Sequence, residues 1–185
     1  MLYEALTFVA KELNEYIKMK FGLVDDKVVI SNLVNQDGSF AVKEENKVIL
    51  ALAGIQDEKM LSKSNMNAHD GRFSKGRPPV TINLFVLITT TYYGELMSEG
   101  LKFLSLIIGF FQGNGVFTST TSPGLDPNIG KLIFELHNLE FTEQNNLWAC
   151  MGAKYTPSVL YKVRMITIEE GLSSIPIQPI AELER

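Results

Sequence analysis

Val80 to Gln112 reads VTINLFVLITTTYYGELMSEGLKFLSLIIGFFQ, and this stretch decides the fold. Its first part, Val80 to Tyr93, is the longest strand candidate in the chain, rich in β-branched and aromatic residues. At Gly94 and Glu95 the period changes. Met97, Leu101, Leu104, Ile108 and Phe111 recur at spacings of 4, 3, 4 and 3, the repeat of one helical face. Leu96, Phe103, Ile107 and Phe110 carry the apolar surface further around the cylinder. A helix this apolar is either sandwiched inside the domain or covered by another subunit. Gln112-Gly113-Asn114-Gly115 ends it.

On the N-terminal side, Leu2, Leu6, Val9, Leu13 and Tyr16 predict a helix over 2–20 that stops near Gly22. Val28 to Val34 reads as a strand closed by the turn cluster Asn35 to Gly38. Lys47 to Ile55 is apolar on both faces, as expected of an interior strand. Gln56 to Pro79 is polar and holds no apolar period, which predicts a long exposed loop. On the C-terminal side, Val116 to Gly130 reads as a structured loop and Lys131 to Leu139 as an alternating strand. Thr142 followed by Glu143 suits the start of a short helix carrying Leu147 and Trp148 and stopping near Gly152. Tyr161 to Glu169 is the last strand.

The order α β β β α β α β predicts an α+β domain, a mostly antiparallel sheet with the helices on one face. A single domain is expected over 1–171. Residues 172–185 carry Pro176 and Pro179 among isoleucines, which excludes a central strand and favours an extended C-terminal arm.

Composition excludes several classes of function. With 17 Lys and Arg against 21 Asp and Glu, the net charge of −4 argues against a nucleic-acid partner, because that affinity comes mostly from neutralised phosphates. Hydrophobic residues at 45% and charged residues at 21% are those of a packed globular domain. Cys150 is the one cysteine, which leaves neither an internal disulfide nor a cysteine zinc site. The start of the chain has Glu4 and no basic region, unlike a signal peptide, and the longest apolar run, Phe103 to Phe111, is too short to span a bilayer. Cytoplasmic synthesis without membrane insertion is the expectation.

Signals for chemistry are sparse. Gly113-Asn114-Gly115 lacks the Lys-Ser/Thr of a phosphate loop and reads as a helix-ending turn. His69-Asp70 and His137 have no second ligand at a helical or strand spacing, so no metal is expected. Cys150 lies in a short apolar helix, where burial as a small hydrophobe is the expected role, and Ser158 has no neighbouring histidine in sequence. Glu135 with Glu140, and Glu169 with Glu170, read as surface charge. No cofactor is expected. What remains is an aromatic excess in Tyr92-Tyr93, Phe110-Phe111 and Val116-Phe117, open to two readings: a large core or a subunit interface.

Leu147 to Ile168, LWACMGAKYTPSVLYKVRMITI, resembles the hallmark of the Pvc16-type family, once annotated only as a domain of unknown function. Its G-x-K-Y-x-P-S-x-x-Y-x-x-R stretch is met by Gly152, Lys154, Tyr155, Pro157, Ser158, Tyr161 and Arg164. Phe110 to Thr118, Ser122 to Leu125, Glu45 to Leu52 and Pro78 to Leu87 extend the likeness in the same order. The segment Asp57 to Gly76 matches no fixed pattern.

The resemblance implies a tail terminator, or cap, of a phage-tail-like contractile injection system, with a phage tail-terminator-like α+β fold. It implies a hexameric ring ending inner tube and sheath at the end distal from the baseplate. The implied partners are the chain itself, possibly with a paralogue, the tube protein and the sheath protein. The particle could be released extracellularly or anchored to a membrane. A small adaptor on such a particle, or an enzyme using Cys150 or Ser158, stays open as an alternative. For a closing ring, the contact candidates are Phe103, Ile107, Phe110, Phe111 and Phe117 around the apolar helix, and Ile175, Ile177 and Ile180 in the arm. Lys162 and Arg164, on one face of the last strand, are candidates to meet acidic surface on the tube or sheath.

Overall fold

The computed structural model describes residues 1–43, 46–58 and 81–167. Among these residues three helices and six strands follow one another as α1 (Leu2–Phe21), β1 (Val28–Ile30), β2 (Val48–Asp57), β3 (Thr81–Thr90), α2 (Met97–Gly113), β4 (Val116–Thr118), β5 (Ile129–Leu136), α3 (Phe141–Met151) and β6 (Ser158–Thr167). A 3-10 turn at Gly94–Leu96 leads into α2.

The helical period of α1 turns Leu6, Val9, Leu13 and Ile17 inward. Gly22 ends it at φ 66°, a left-handed conformation that costs a residue without Cβ nothing. Asn14 is the polar exception on the inner face. Its amide donates to the Val28 carbonyl (3.0 Å), and its oxygen accepts from the Lys27 and Val28 N–H groups (2.9 and 2.8 Å). One side chain thereby does the work of a neighbouring strand and ties α1 to the sheet edge.

The sheet order is β1-β2-β3-β6-β5-β4. β1 and β2 are parallel, and every other neighbouring pair is antiparallel. β3 lies between β2 and β6, with Leu52 opposite Val86 and Val86 opposite Tyr161. A register shift in β2 between Leu52 and Gly54 bends the strand beyond its buried half.

Period-2 alternation divides the side chains between two layers. Leu50, Val86, Val163, Met165, Leu132 and Phe134 face α1 and α2 and form the larger core. Ile49, Ala51, Leu87 and Leu160 point the other way and form a smaller core with Leu33 and Trp148 of α3. The third helix therefore sits across the sheet from the two long ones, whereas the sequence pattern had all helices on one side. The α+β class and the mostly antiparallel sheet with two main helices packed on it are those expected.

Aromatic rings close the larger core. Phe111 of α2 stacks on Phe134 of β5 at 4.3 Å and touches Tyr161 of β6 at 4.7 Å. Phe117 of β4 meets Phe8 of α1 at 5.3 Å, and Tyr16 of α1 meets Phe110 at 4.9 Å. Each such pair contributes roughly 0.5–1.5 kcal/mol beyond the area it buries. Burial pushes the Tyr161 phenol up to about 12. It does the same for Tyr92, with Glu99 nearby as a smaller cause.

Several boundaries differ from the sequence pattern. β1 keeps three residues of the expected seven, because beyond Ile30 the chain leaves β2 and Leu33 turns under Trp148. β4 was not expected, since three residues are too few to show a period; its pairing with β5 and the burial of Phe117 make it a strand. α3 begins one residue before Thr142, with Glu140 at the cap position donating its N–H to the Glu143 carboxylate (3.1 Å). The expected loop is described only to Glu58, and the expected arm at 172–185 lies outside the described residues.

Three outcomes are expected from this packing. A Cβ on Gly100 would lie 2.8 Å from Thr90 Oγ1 and 2.9 Å from Tyr92 Cβ, whereas one on Gly109 meets nothing within 4 Å. Gly100→Ala should therefore cost about 1–3 kcal/mol in thermal unfolding, and Gly109→Ala should be neutral or raise stability by up to ~1 kcal/mol. Asn14→Ala should cost on the order of 2–4 kcal/mol and speed hydrogen exchange at the Val28 amide, because buried backbone groups lose their partner. Tyr161 is neutral in the fold to about pH 12, against ~10 in the unfolded chain. The stability it contributes is complete below pH ~10 and is lost as pH rises toward 12. Tyr161→Phe should move the alkaline unfolding transition to higher pH.

Candidate assembly surfaces

The aromatic residues expected at an interface are instead inside the protomer. Phe103, Phe110, Phe111 and Phe117 are buried, and Ile107 is 0% exposed. Their apolar excess is consumed because α2 packs against α1 on one flank and the sheet beneath it. In the protomer these side chains belong to the core, whereas the sequence offered them as contact candidates for a ring. Ile175, Ile177 and Ile180 lie outside the described residues.

The surface that α2 leaves uncovered is smaller and also apolar in part. Leu96, Met97 and Leu101 are exposed, with Tyr93 just before them. Met97 and Leu101 are four residues apart and share one helical face. On α1, Tyr3, Met19 and Phe21 are exposed, although Phe21 rests its ring on Phe103 at 5.0 Å.

Lys162 and Arg164 lie on the face opposite the long helices. Arg164 is half-buried, and its Nε lies 2.8 Å from Glu58 Oε2; its Nη2 is 4.0 Å from Glu135 Oε1. Lys162 is directly opposite Glu135 in the β5–β6 register. Asn83 lies opposite Arg164 and is buried, with its side-chain oxygen unpaired. This half of the face is a mixed-charge seam in which Arg164 already has a carboxylate of its own chain, and Lys162 faces another.

Among the described residues no group of three or more His, Cys, Asp or Glu could hold a metal ion. No described helix is long and apolar enough to cross a membrane. His69 lies outside the described residues, and His137 sets its ring edge-on against Phe85 at 5.3 Å. Cys150 is exposed, contrary to expectation. Trp148 occupies the inward side of α3, and a residue two positions on projects from the far side of the helix. Ser158 begins β6 opposite Thr89.

Two small cavities stand out. One, about 10 Å³, lies between α1 and the sheet and is lined only by apolar groups such as Leu6, Val9, Leu84 and Phe134. The other, about 20 Å³, opens beside α3 between Phe40, Tyr93, Trp148 and Lys154. Neither has the several hundred Å³ of an ordinary small-molecule site. The second was not anticipated from sequence; Lys154 belongs to the quoted motif, but Phe40 and Tyr93 are brought to it by tertiary contact.

That motif proves to be mainly a folding device. Gly152 ends α3 at φ 68°. Tyr155 packs edge-on against Trp148 at 5.5 Å. The Pro157 carbonyl accepts from Thr89 Oγ1 at 3.0 Å, Tyr161 enters the aromatic core, and Arg164 holds Glu58.

No curated protein sequence matches this chain. Its fold is similar to that of a PVC sheath/tube terminator seen in the cryo-EM structure of an extracellular contractile injection system in the extended state. The TM-score is 0.57 at 12% sequence identity, with 100% of this chain covered and 63% of that one, so this chain spans less than two thirds of its length. At that identity the likeness is one of fold. The family model described as the Pvc16 N-terminal domain matches residues 4–182, from the first turn of α1 through β6 and beyond. The motif that caps α3 and seats β6 is thus read within a match to nearly the whole sequence, and the chain belongs to the Pvc16 N-terminal domain family.

Proposed function

We propose that this chain is a terminator subunit of a phage-tail-like contractile injection system, acting by shape and without catalysis. The observation that supports it most is the family match over residues 4–182 carried on a fold shared with a sheath/tube terminator. In this reading the subunits close a six-membered ring that caps tube and sheath at the end distal from the baseplate, with tube and sheath proteins as the other partners. The finished particle is either released or held at a membrane.

A closed ring needs a heterologous side-to-side contact, one patch of each subunit meeting a different patch of the next. The exposed apolar positions Leu96, Met97 and Leu101 supply one such patch, since the buried rings of α2 cannot. Obligate contacts of this kind commonly bury ~2,000 Å² or more. The segment 172–185 is proposed as an extended arm whose isoleucines, Ile175, Ile177 and Ile180, reach a sheath subunit. Lys162 sits on the face proposed to meet acidic tube or sheath surface, and Arg164 serves there through its pairing with Glu58.

Native mass spectrometry of the purified chain, and imaging of particles carrying a tagged copy, test the reading. Hexamers and a tag at one particle terminus are expected. A chain that stays monomeric and never joins particles, or filaments of normal uniform length in its absence, would overturn it. Met97→Glu with Leu101→Glu should abolish ring formation while leaving the unfolding temperature within a few degrees. Phe110→Ser with Phe111→Ser should unfold the protomer itself, because both rings are core. Deleting 172–185 should weaken sheath attachment more than stability.

A further inference from the structure

A heterologous junction needs two different patches, and the exposed line of Leu96, Met97 and Leu101 supplies only one. That patch reaches beyond α2. Leu96 donates its N–H to the Tyr93 carbonyl at 3.2 Å, and the Tyr93 ring lies 6.3 Å from the ring of Phe40. Phe40 is 59% exposed and Tyr93 is 49% exposed. Lys154 lines the same small cavity as both rings and is itself exposed. Exposed aromatic rings with a charge at their margin have the make-up of an interface core and its rim.

The most exposed large apolar side chain among the described residues is Phe141, at 89%. It opens α3 and is flanked by Glu140 and Glu143, both exposed. Its own chain does not offer it the Phe40 patch. α3 starts shortly after β5, toward one edge of the sheet. It ends at Gly152, where a Cβ would lie 3.3 Å from Val34, the bridge partner of Phe40. Eleven residues of α-helix span about 16 Å, and that length holds Phe141 away from the rings at the other end. A symmetric contact between two Phe141 residues would crowd the Glu140 and Glu143 carboxylates of both copies. A head-to-tail contact sets those carboxylates beside Lys154 instead.

We infer that Phe141 is the knob of a head-to-tail contact with a second copy of this chain, packing on the exposed Phe40 and Tyr93 rings with Glu140 or Glu143 facing Lys154. The phenyl ring rests on the outer faces of the pair and does not enter the cavity beneath. Each copy carries one knob and one receiving pair, so the contact repeats around a ring without using one surface twice. The inference rests on the terminator reading for ring closure, whereas the match of the two patches belongs to the chain itself.

Cys150 is the one cysteine, so Cys150→Ser gives a background for placed thiols. Ser39 precedes Phe40, and Asn145 lies one helical turn from Phe141; both are exposed. Ser39→Cys and Asn145→Cys therefore leave every ring in place. Equal amounts of the two variants, treated with a short bis-maleimide, should yield a dimer joined between positions 39 and 145, identified by peptide mass. Either variant alone should yield at least ~10-fold less dimer. Phe141→Asp in the Asn145→Cys chain should cut the mixed dimer at least ~10-fold while the unfolding temperature stays within a few degrees, and Lys154→Glu in the Ser39→Cys chain should cut it about 3-fold. Absence of the mixed dimer, an equal yield from either variant alone, or a yield that ignores Phe141→Asp and Lys154→Glu overturns the inference. Native mass spectra of the unsubstituted chain report on the ring separately. Hexamers without the cross-link sink the contact and leave the terminator reading standing; the cross-link without hexamers does the reverse.

Discussion

Phe111 lies flat against Phe134, ring planes 12° apart, and this contact joins α2 to the distal half of the sheet. Tyr161 closes against Phe111 from β6, and Phe110, on the neighbouring side of the helix, reaches Tyr16 of α1. Two adjacent helix positions thus serve two different neighbours, possible only because α2 lies in the angle between α1 and the sheet. Once it lies there, its broad apolar surface is consumed within the protomer. What is left for another subunit is the narrower line of Leu96, Met97 and Leu101. The close approach of α2 to β3 at Gly100, where no Cβ fits, follows from the same placement.

The sheet's two faces have different occupations. One is covered by the long helices and is apolar in its interior apart from Asn14 of α1 and Thr90 beneath Gly100. The other is divided. Near Ile49, Leu87 and Leu160 it is covered by α3 and Leu33; toward Arg164 it carries Glu58, Glu135, Lys162 and buried Asn83. A half-buried guanidinium with one carboxylate of its own chain at 2.8 Å and a second at 4.0 Å suits a surface that offers a defined charge pattern to a partner. The cleft at Trp148 lies where α3 meets the end of the covered half, and there the pairing is incomplete. The buried Trp148 Nε1 under α3 and the buried Asn83 oxygen beside Arg164 both lack a hydrogen-bond partner, so each half of this face keeps an unpaired polar atom.

The motif of the last strand and the turn before it carries a similar lesson. A run such as G-x-K-Y-x-P-S-x-x-Y-x-x-R invites a reading as a site, yet most of its members build the turn between α3 and β6. Gly152 takes a positive φ, Pro157 anchors a carbonyl on Thr89, and Tyr161 fills the core. Lys154 alone among them projects its charge beside an open cleft. The Pvc16 N-terminal domain family is thus recognised here chiefly through residues that make its fold.

The sequence by itself determined the long elements and the class of fold. Leu6, Leu13 and Ile17, or Leu104 and Phe111, repeat over enough turns for a 3.6-residue period to show, and the β-branched and aromatic residues from Val80 to Tyr93 mark a strand by their type. It also carried the family likeness, which is distributed along the order of the chain. Only the tertiary structure decided which apolar residues were core and which were surface, since Phe110 and Leu101 have the same local character and differ in what lies opposite them. It decided too that Cys150 faces out, that three residues at Val116–Thr118 form a strand, and that Phe40, Tyr93, Trp148 and Lys154 meet. Those facts depend on contacts between segments far apart in sequence, and no local period records which distant segment will arrive.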